Sequence, residues 1–143
     1  MMRVLAFVLA LLLLPLGIAT GAEPLPTPKK IFFATGSTRG TAGGHVQRGK
    51  RDLYSLTAST GQFMTVTLTT PDDNAVFQIY EPGTTLGRDA DDVLEFHGTP
   101  LPGAGDGNDS TRWTGRLPRT GTYLIAVGST RGNARYSMDI RIE

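Results

Sequence analysis

The chain has no cysteine. That excludes a disulfide framework, a thiol nucleophile and the lipid-modified cysteine of a lipoprotein. It has two histidines, His45 and His97, and neither lies in a His-Glu-x-x-His segment; Gly-x-Ser-x-Gly is missing as well. The sequence signatures of zinc peptidases and serine hydrolases are therefore absent. A Ser/His/Asp triad assembled from distant strands would need more support than scattered serines and aspartates give. We read no catalytic residue, no metal site and no cofactor, and expect a protein that is not an enzyme. An excess of charge of one sign is also lacking, with 14 Lys+Arg against 13 Asp+Glu. A nucleic-acid binder needs a net basic footprint, so that class is set aside.

Only one long apolar run is present, and it opens the chain. "MMRVLAFVLALLLLPLGIATGAEP" carries Arg3, then apolar residues from Val4 to about Ala19, then Thr20, Gly21 and Ala22. This is the anatomy of a secretory signal peptide cut after Ala22. It is interrupted by Pro15 and is short for a bilayer span, which needs about 20 residues. Removing 1–22 takes away one charged side chain and leaves basic and acidic residues equal in number. No later segment is apolar for long enough to span a bilayer, so no membrane contact is expected after cleavage.

"EPLPTPKK" (residues 23–30) reads as a proline-rich, extended leader. Residues 31–143 read as a single domain. Short alternating runs follow one another there: KIFFA, TAGGHVQ, DLYSLTA, QFMTVTLTT, NAVFQIY, a short run near VLEFH, TYLIAV and RYSMDIRI. Period-two alternation between turn formers predicts an all-β, antiparallel β-sandwich of about eight strands. Glycines in TAGGHVQ mark it as an edge. No run has a sustained 3.6-residue period, so no helix is expected after residue 22. STGQ (59–62) and RTGT (119–122) place glycine where a positive φ is expected. Residues 81–111 form a long, glycine-rich, acidic stretch, expected to wrap one end of the sandwich.

The acidic stretch holds RDADDVLE and GDGND, oxygen ligands of the kind calcium takes, without the spacing of an EF-hand. A calcium-stabilised accessory protein is thus one reading, against a plain solvated loop. Trp113, the only tryptophan, sits at a strand position and is expected in the core. The pentapeptide GSTRG occurs twice, at 36–40 and 128–132, and the second copy continues into Asn133-Ala134-Arg135. Two arginines four apart on a glycine-rich hairpin loop suit entry into an acidic cleft. The competing reading is ordinary loop charge.

Residues 52–83 and 113–143 resemble the bacterial pre-peptidase C-terminal type β-sandwich. The pattern is Asp-x-Tyr, then Ala-x-x-Gly-Gln, then Leu-Pro-x-x-Gly-x-Tyr. Within that group the ending is similar to the periplasmic inhibitor of g-type lysozyme, whose last loop has a Thr-Arg-Asn-x-Ala-Arg-type segment before its final strand. Thr130-Arg131-Gly132-Asn133-Ala134-Arg135 stands at that place, with Gly132 where the family has asparagine. The resemblance implies a periplasmic, monomeric or weakly dimeric inhibitor whose partner is a g-type lysozyme. It implies that Arg131 and Arg135 bond acidic groups of the substrate cleft. Gly132 and Asn133 would shape the tip, and Thr130 would lead into it. The family's aromatic contact before Asp-x-Tyr is missing. The loop reads QRGKRDLY, which leaves Arg48, Lys50 and Arg51 as secondary contacts. The alternative is a non-catalytic module that binds cell-envelope glycan or protein.

Overall fold

The computed structural model describes Glu23–Glu143, with Gly17 and Gly21 ahead of them. The signal peptide read over 1–22 otherwise lies outside the described residues. The strands are β1 Lys29–Lys30, β2 Arg39–Val46, β3 Arg51–Ala58, β4 Phe63–Thr69, β5 Ala75–Tyr80, β6 Thr85–Arg88, β7 Leu94–His97, β8 Arg112–Arg116, β9 Gly121–Ser129 and β10 Ala134–Ile142. There is no helix among the described residues, and so none long and apolar enough to cross a membrane.

Two four-stranded sheets face each other, in the orders β1-β3-β9-β5 and β2-β10-β4-β8; β6 and β7 pair as a separate hairpin. All pairings are antiparallel except β1 with β3. Alternation fixes which side chains point inward. Tyr54 and Leu56 on β3, Phe77 and Ile79 on β5, and Tyr123, Ile125 and Val127 on β9 meet Met64, Val66, Tyr136, Met138 and Ile140 from the other sheet. Each large apolar side chain taken fully out of water stabilises the fold by about 1.5–3 kcal/mol. Trp113 joins this core, and its indole N–H donates to the Pro102 carbonyl at 2.8 Å.

The Leu-Pro-x-x-Gly-x-Tyr pattern has a physical meaning. Leu117 is buried, and the Tyr123 hydroxyl donates to the Arg119 carbonyl at 2.6 Å while accepting from the Arg119 amide. This ties the approach to β9 onto β9 itself, as a tyrosine corner does.

The structure corrects three expectations. Of KIFFA (30–34) only Lys30 is in a strand, which with Lys29 lies in parallel register with Tyr54 and Ser55. Ile31 makes one more bond to Ser55 and is buried, after which the chain leaves the sheet. Strands β6 and β8 have no counterpart among the alternating runs. The acidic stretch covers a face and an edge rather than an end. Its β6–β7 hairpin lies on the outside of the first sheet, where Leu86, Leu94 and Phe96 pack on Leu53, Tyr80, Leu124 and Ala126. Farther on, Leu101 and Ala104 bond to the backbone of Ile79 and plug the core beside β5. β2 is an edge strand, as its glycines predict.

Candidate functional site

β9 and β10 belong to different sheets, so Arg131 and Arg135 do not stand on a hairpin. Residues 130–133 cross from one sheet to the other. A crossing segment has no strand partner for its backbone groups, which must be satisfied another way. One buried side chain does this. Asn74, 5% exposed, donates from Nδ2 to the carbonyls of Arg131 (3.1 Å) and Asn133 (3.0 Å). Its own carbonyl accepts from the Thr130 amide at 2.9 Å, and its Oδ1 accepts from the Thr70 hydroxyl at 3.0 Å. Gly132, at φ +58, makes the tight bend between the two bonded carbonyls. A left-handed φ is cheap for glycine alone. Asn133 does not need a positive φ.

The neighbouring loops join this end. The Asn133 side chain accepts from the Arg48 amide at 2.9 Å, tying the β2–β3 loop to the crossing. Arg131 donates to the Asp72 carbonyl at 2.5 Å, so its guanidinium lies against the β4–β5 turn. Arg135 is the second residue of β10. It sits opposite His45 and projects from the outer face of the second sheet. Thr130, Arg131, Gly132, Asn133, Arg135 and Arg48 thus share one end of the sandwich. Lys50 and Arg51 do not join them as closely. Lys50 Nζ is paired with Glu23 at 3.0 Å, and Arg51 lies over Gly128 on the outside of the first sheet.

Beneath this end lies a buried polar group. Tyr136 donates to Asp52 at 2.6 Å, and its hydroxyl is 2.5 Å from that of Tyr54. Burial pushes the Tyr136 phenol far above the ordinary tyrosine range, and its hydrogen bonds to Asp52 and Tyr54 push it the same way. It therefore stays neutral and keeps donating. This explains the Asp-x-Tyr pattern: Asp52 and Tyr54 on β3 reach across to the start of β10 and fix where Arg135 emerges.

Asn74 escapes a sequence reading, because in TTPDDN it looks like one more turn former. Its one legible signal is that it directly precedes the apolar alternation of β5. The acidic residues, in contrast, serve local bonds: Asp92 pairs with Arg88, and Asp106 accepts from Gln78. Asp89 Oδ1 accepts from the amides of Asp91 and Val93. Among the described residues no group of three carboxylates or imidazoles is placed to hold a metal.

No family model matches the chain, and no curated protein matches it in sequence. Solved structures do match. The periplasmic inhibitor of g-type lysozyme from Aeromonas hydrophila, PliG, superposes with a TM-score of 0.63 at 25% identity, over 82% of this chain and 96% of that one. The Salmonella Typhimurium PliG gives 0.56 at 22% identity, over 83% and 100%. A mutant of the Escherichia coli PliG gives 0.53 at 19% identity, over 82% and 100%.

The chain has the PliG fold.

The PliG proteins are periplasmic inhibitors of g-type lysozyme.

Proposed function

We propose that the protein is a non-catalytic inhibitor of a g-type lysozyme, acting in the periplasm as a monomer or weak dimer once residues 1–22 are removed. The observation that carries the reading is the arginine-bearing end of a PliG-type sandwich, with its crossing segment held by Asn74. Glycoside hydrolases work with a pair of carboxylates in an open cleft. Arg131 and Arg135 offer planar, permanently charged donors to such groups. On docking, Arg131 exchanges the neutral Asp72 carbonyl for a charged acceptor, which makes a stronger bond. Asn133 and Gly132 keep the tip narrow and already ordered, so little entropy is lost on binding. Thr130 leads into the tip. Arg48, bound to Asn133 through its amide, contacts the rim, with Lys50 and Arg51 farther out.

The test is lysis of cell walls by g-type, c-type and i-type lysozymes in the presence of the purified protein. Inhibition of the g-type enzyme is expected. Undiminished lysis by that enzyme at micromolar excess of the protein refutes the reading.

A further inference from the structure

The two sheets differ on their outer sides. The first is covered by the β6–β7 hairpin, whereas the second is bare. Strands β2, β4, β8 and β10 carry five arginines and His45 against Asp139, and Glu143 adds a second carboxylate just past β10. This is a basic face in a domain whose charges balance overall, so the rest of its surface is net acidic. Its side chains stand in rows set by the register. One row across β2, β10, β4 and β8 reads Arg39, Arg141, Thr65, Thr114; the next reads Thr41, Asp139, Thr67, Arg112.

Like charges directly opposite one another weaken a sheet. Arg39 and Arg141 are such a pair. Asp139 alone serves both: Arg39 Nε donates to it, and Arg141 Nε lies 3.7 Å away. One carboxylate between two guanidinium groups leaves positive charge unmatched. Beside them is a shallow concavity of about 510 Å³, floored by Thr65 and Thr67, walled by Arg39, Arg112 and Arg141, and flanked by Phe63; Asp139 and Glu143 complete its lining and leave the three arginines in excess. Phe63 is 45% exposed, an apolar ring left in water. The floor is ordered in advance. Arg112 donates to the Thr67 hydroxyl at 3.2 Å, and the Thr65 and Thr114 hydroxyls bond at 2.9 Å.

We propose that this concavity binds an acidic glycan strand. Arg112 and Arg141 take a carboxylate borne by a sugar or its substituent. Phe63 packs against the C–H face of a sugar ring, and Thr65 and Thr67 bond its hydroxyls. A flat face suits an extended polymer. From Arg141 to Arg135 the face runs about 20 Å at the rise of a strand, room for more than one ring. A nucleic acid fits less well, because single-strand binders stack successive bases on several aromatics and this face has one. The concavity itself uses different residues from the lysozyme reading and stands independently of it, although the far end of the face reaches Arg135.

The experiment is co-sedimentation of the purified protein with insoluble peptidoglycan sacculi, their carboxyl groups either intact or amidated. Binding to intact sacculi is expected, weakening as salt rises. Amidated sacculi should bind about tenfold less, and the Arg112→Glu, Arg141→Glu double variant should lose about tenfold on intact sacculi. Both arginines are exposed, so the variant should melt within a few degrees of the parent, and its melting curve is recorded beside the binding. Should it fail to fold, Phe63→Ala serves in its place and should lose several-fold. Arg131→Ala should bind as the parent does. No sedimentation at low salt, equal binding to amidated sacculi, or full binding by the folded charge-reversed variant overturns the proposal.

Discussion

The two copies of Gly-Ser-Thr-Arg-Gly end up in different physical surroundings. The first closes its own turn before it joins β10, where the Thr38 carbonyl accepts from the Ile142 amide at 2.9 Å. Gly36, at φ +76, makes a turn closed by the Ser37 amide on the Ala34 carbonyl, and the Ser37 hydroxyl bonds the Arg39 backbone. Arg39 then opens β2 as one member of a row of surface charges. The second copy starts inside β9 with Gly128 and runs out into the crossing between sheets, where it cannot satisfy itself. Buried Asn74 holds it, and Arg131 is drawn to the turn beside it. Five identical letters therefore give a turn closed by its own backbone in one place and a segment dependent on a distant side chain in the other. What packs beneath a loop decides whether it can act as a rigid recognition element.

The sharpest break of this contrast is Asn74→Ala. It strips partners from two carbonyls and a hydroxyl at a buried site, at an expected cost of about 3 kcal/mol in denaturant unfolding. Inhibition of the g-type enzyme should fall with it. A loss below about 1 kcal/mol, a size typical of ordinary surface changes, would mean that the crossing does not depend on Asn74.

Next comes Arg131→Ala with Arg135→Ala. If both anchor the complex, the inhibition constant should rise by about 30-fold, near 2 kcal/mol. The double variant should unfold close to the parent. Inhibition within about twofold of the parent would show that these arginines do not anchor the complex.

A smaller effect separates the two turns. Gly36→Ala and Gly132→Ala both force a side chain into a left-handed φ, at about 1 kcal/mol each in stability. Neither glycine has a neighbour that a Cβ would strike, so backbone conformation is the whole cost. Only Gly132→Ala should weaken inhibition, because only that turn shapes the tip. Arg39→Ala is the smallest. It removes an exposed ion pair to Asp139 and should shift stability by about 0.5 kcal/mol or less, with no change in lysozyme inhibition.

Much of the fold was legible because a two-sided sheet writes its inward positions directly into the sequence. Met64, Val66 and Leu68 on β4, and Tyr136, Met138 and Ile140 on β10, alternate as read. KIFFA misled because Ile31 is buried and Phe32 is 76% exposed, so the side chains alternate although the backbone has already left the sheet. β8 hid because RWTGR sends only Trp113 into the core and gives its other positions to arginine, threonine and glycine. The arginines of the candidate site were visible in the sequence, but their geometry was not. Whether Arg131 and Arg135 share a hairpin depends on which sheet each flanking strand joins, and that is settled by distant partners, as when Arg141 on β10 pairs with Arg39 on β2.

The sheet orders set when the domain first exists. Its central strands are β9 and β10, the last two in the chain, each lying between strands made much earlier. A chain ending before Gly121 would hold the pairs β1–β3, β4–β8 and β6–β7, with no sheet wider than two strands. Isolated two-stranded pairs are marginal in water, so such a chain remains open. Folding must wait for residues 121–142 and then close loops of long span, which slows it further. Until then this stretch is an unfinished polymer, and it becomes a domain only when β9 and β10 arrive.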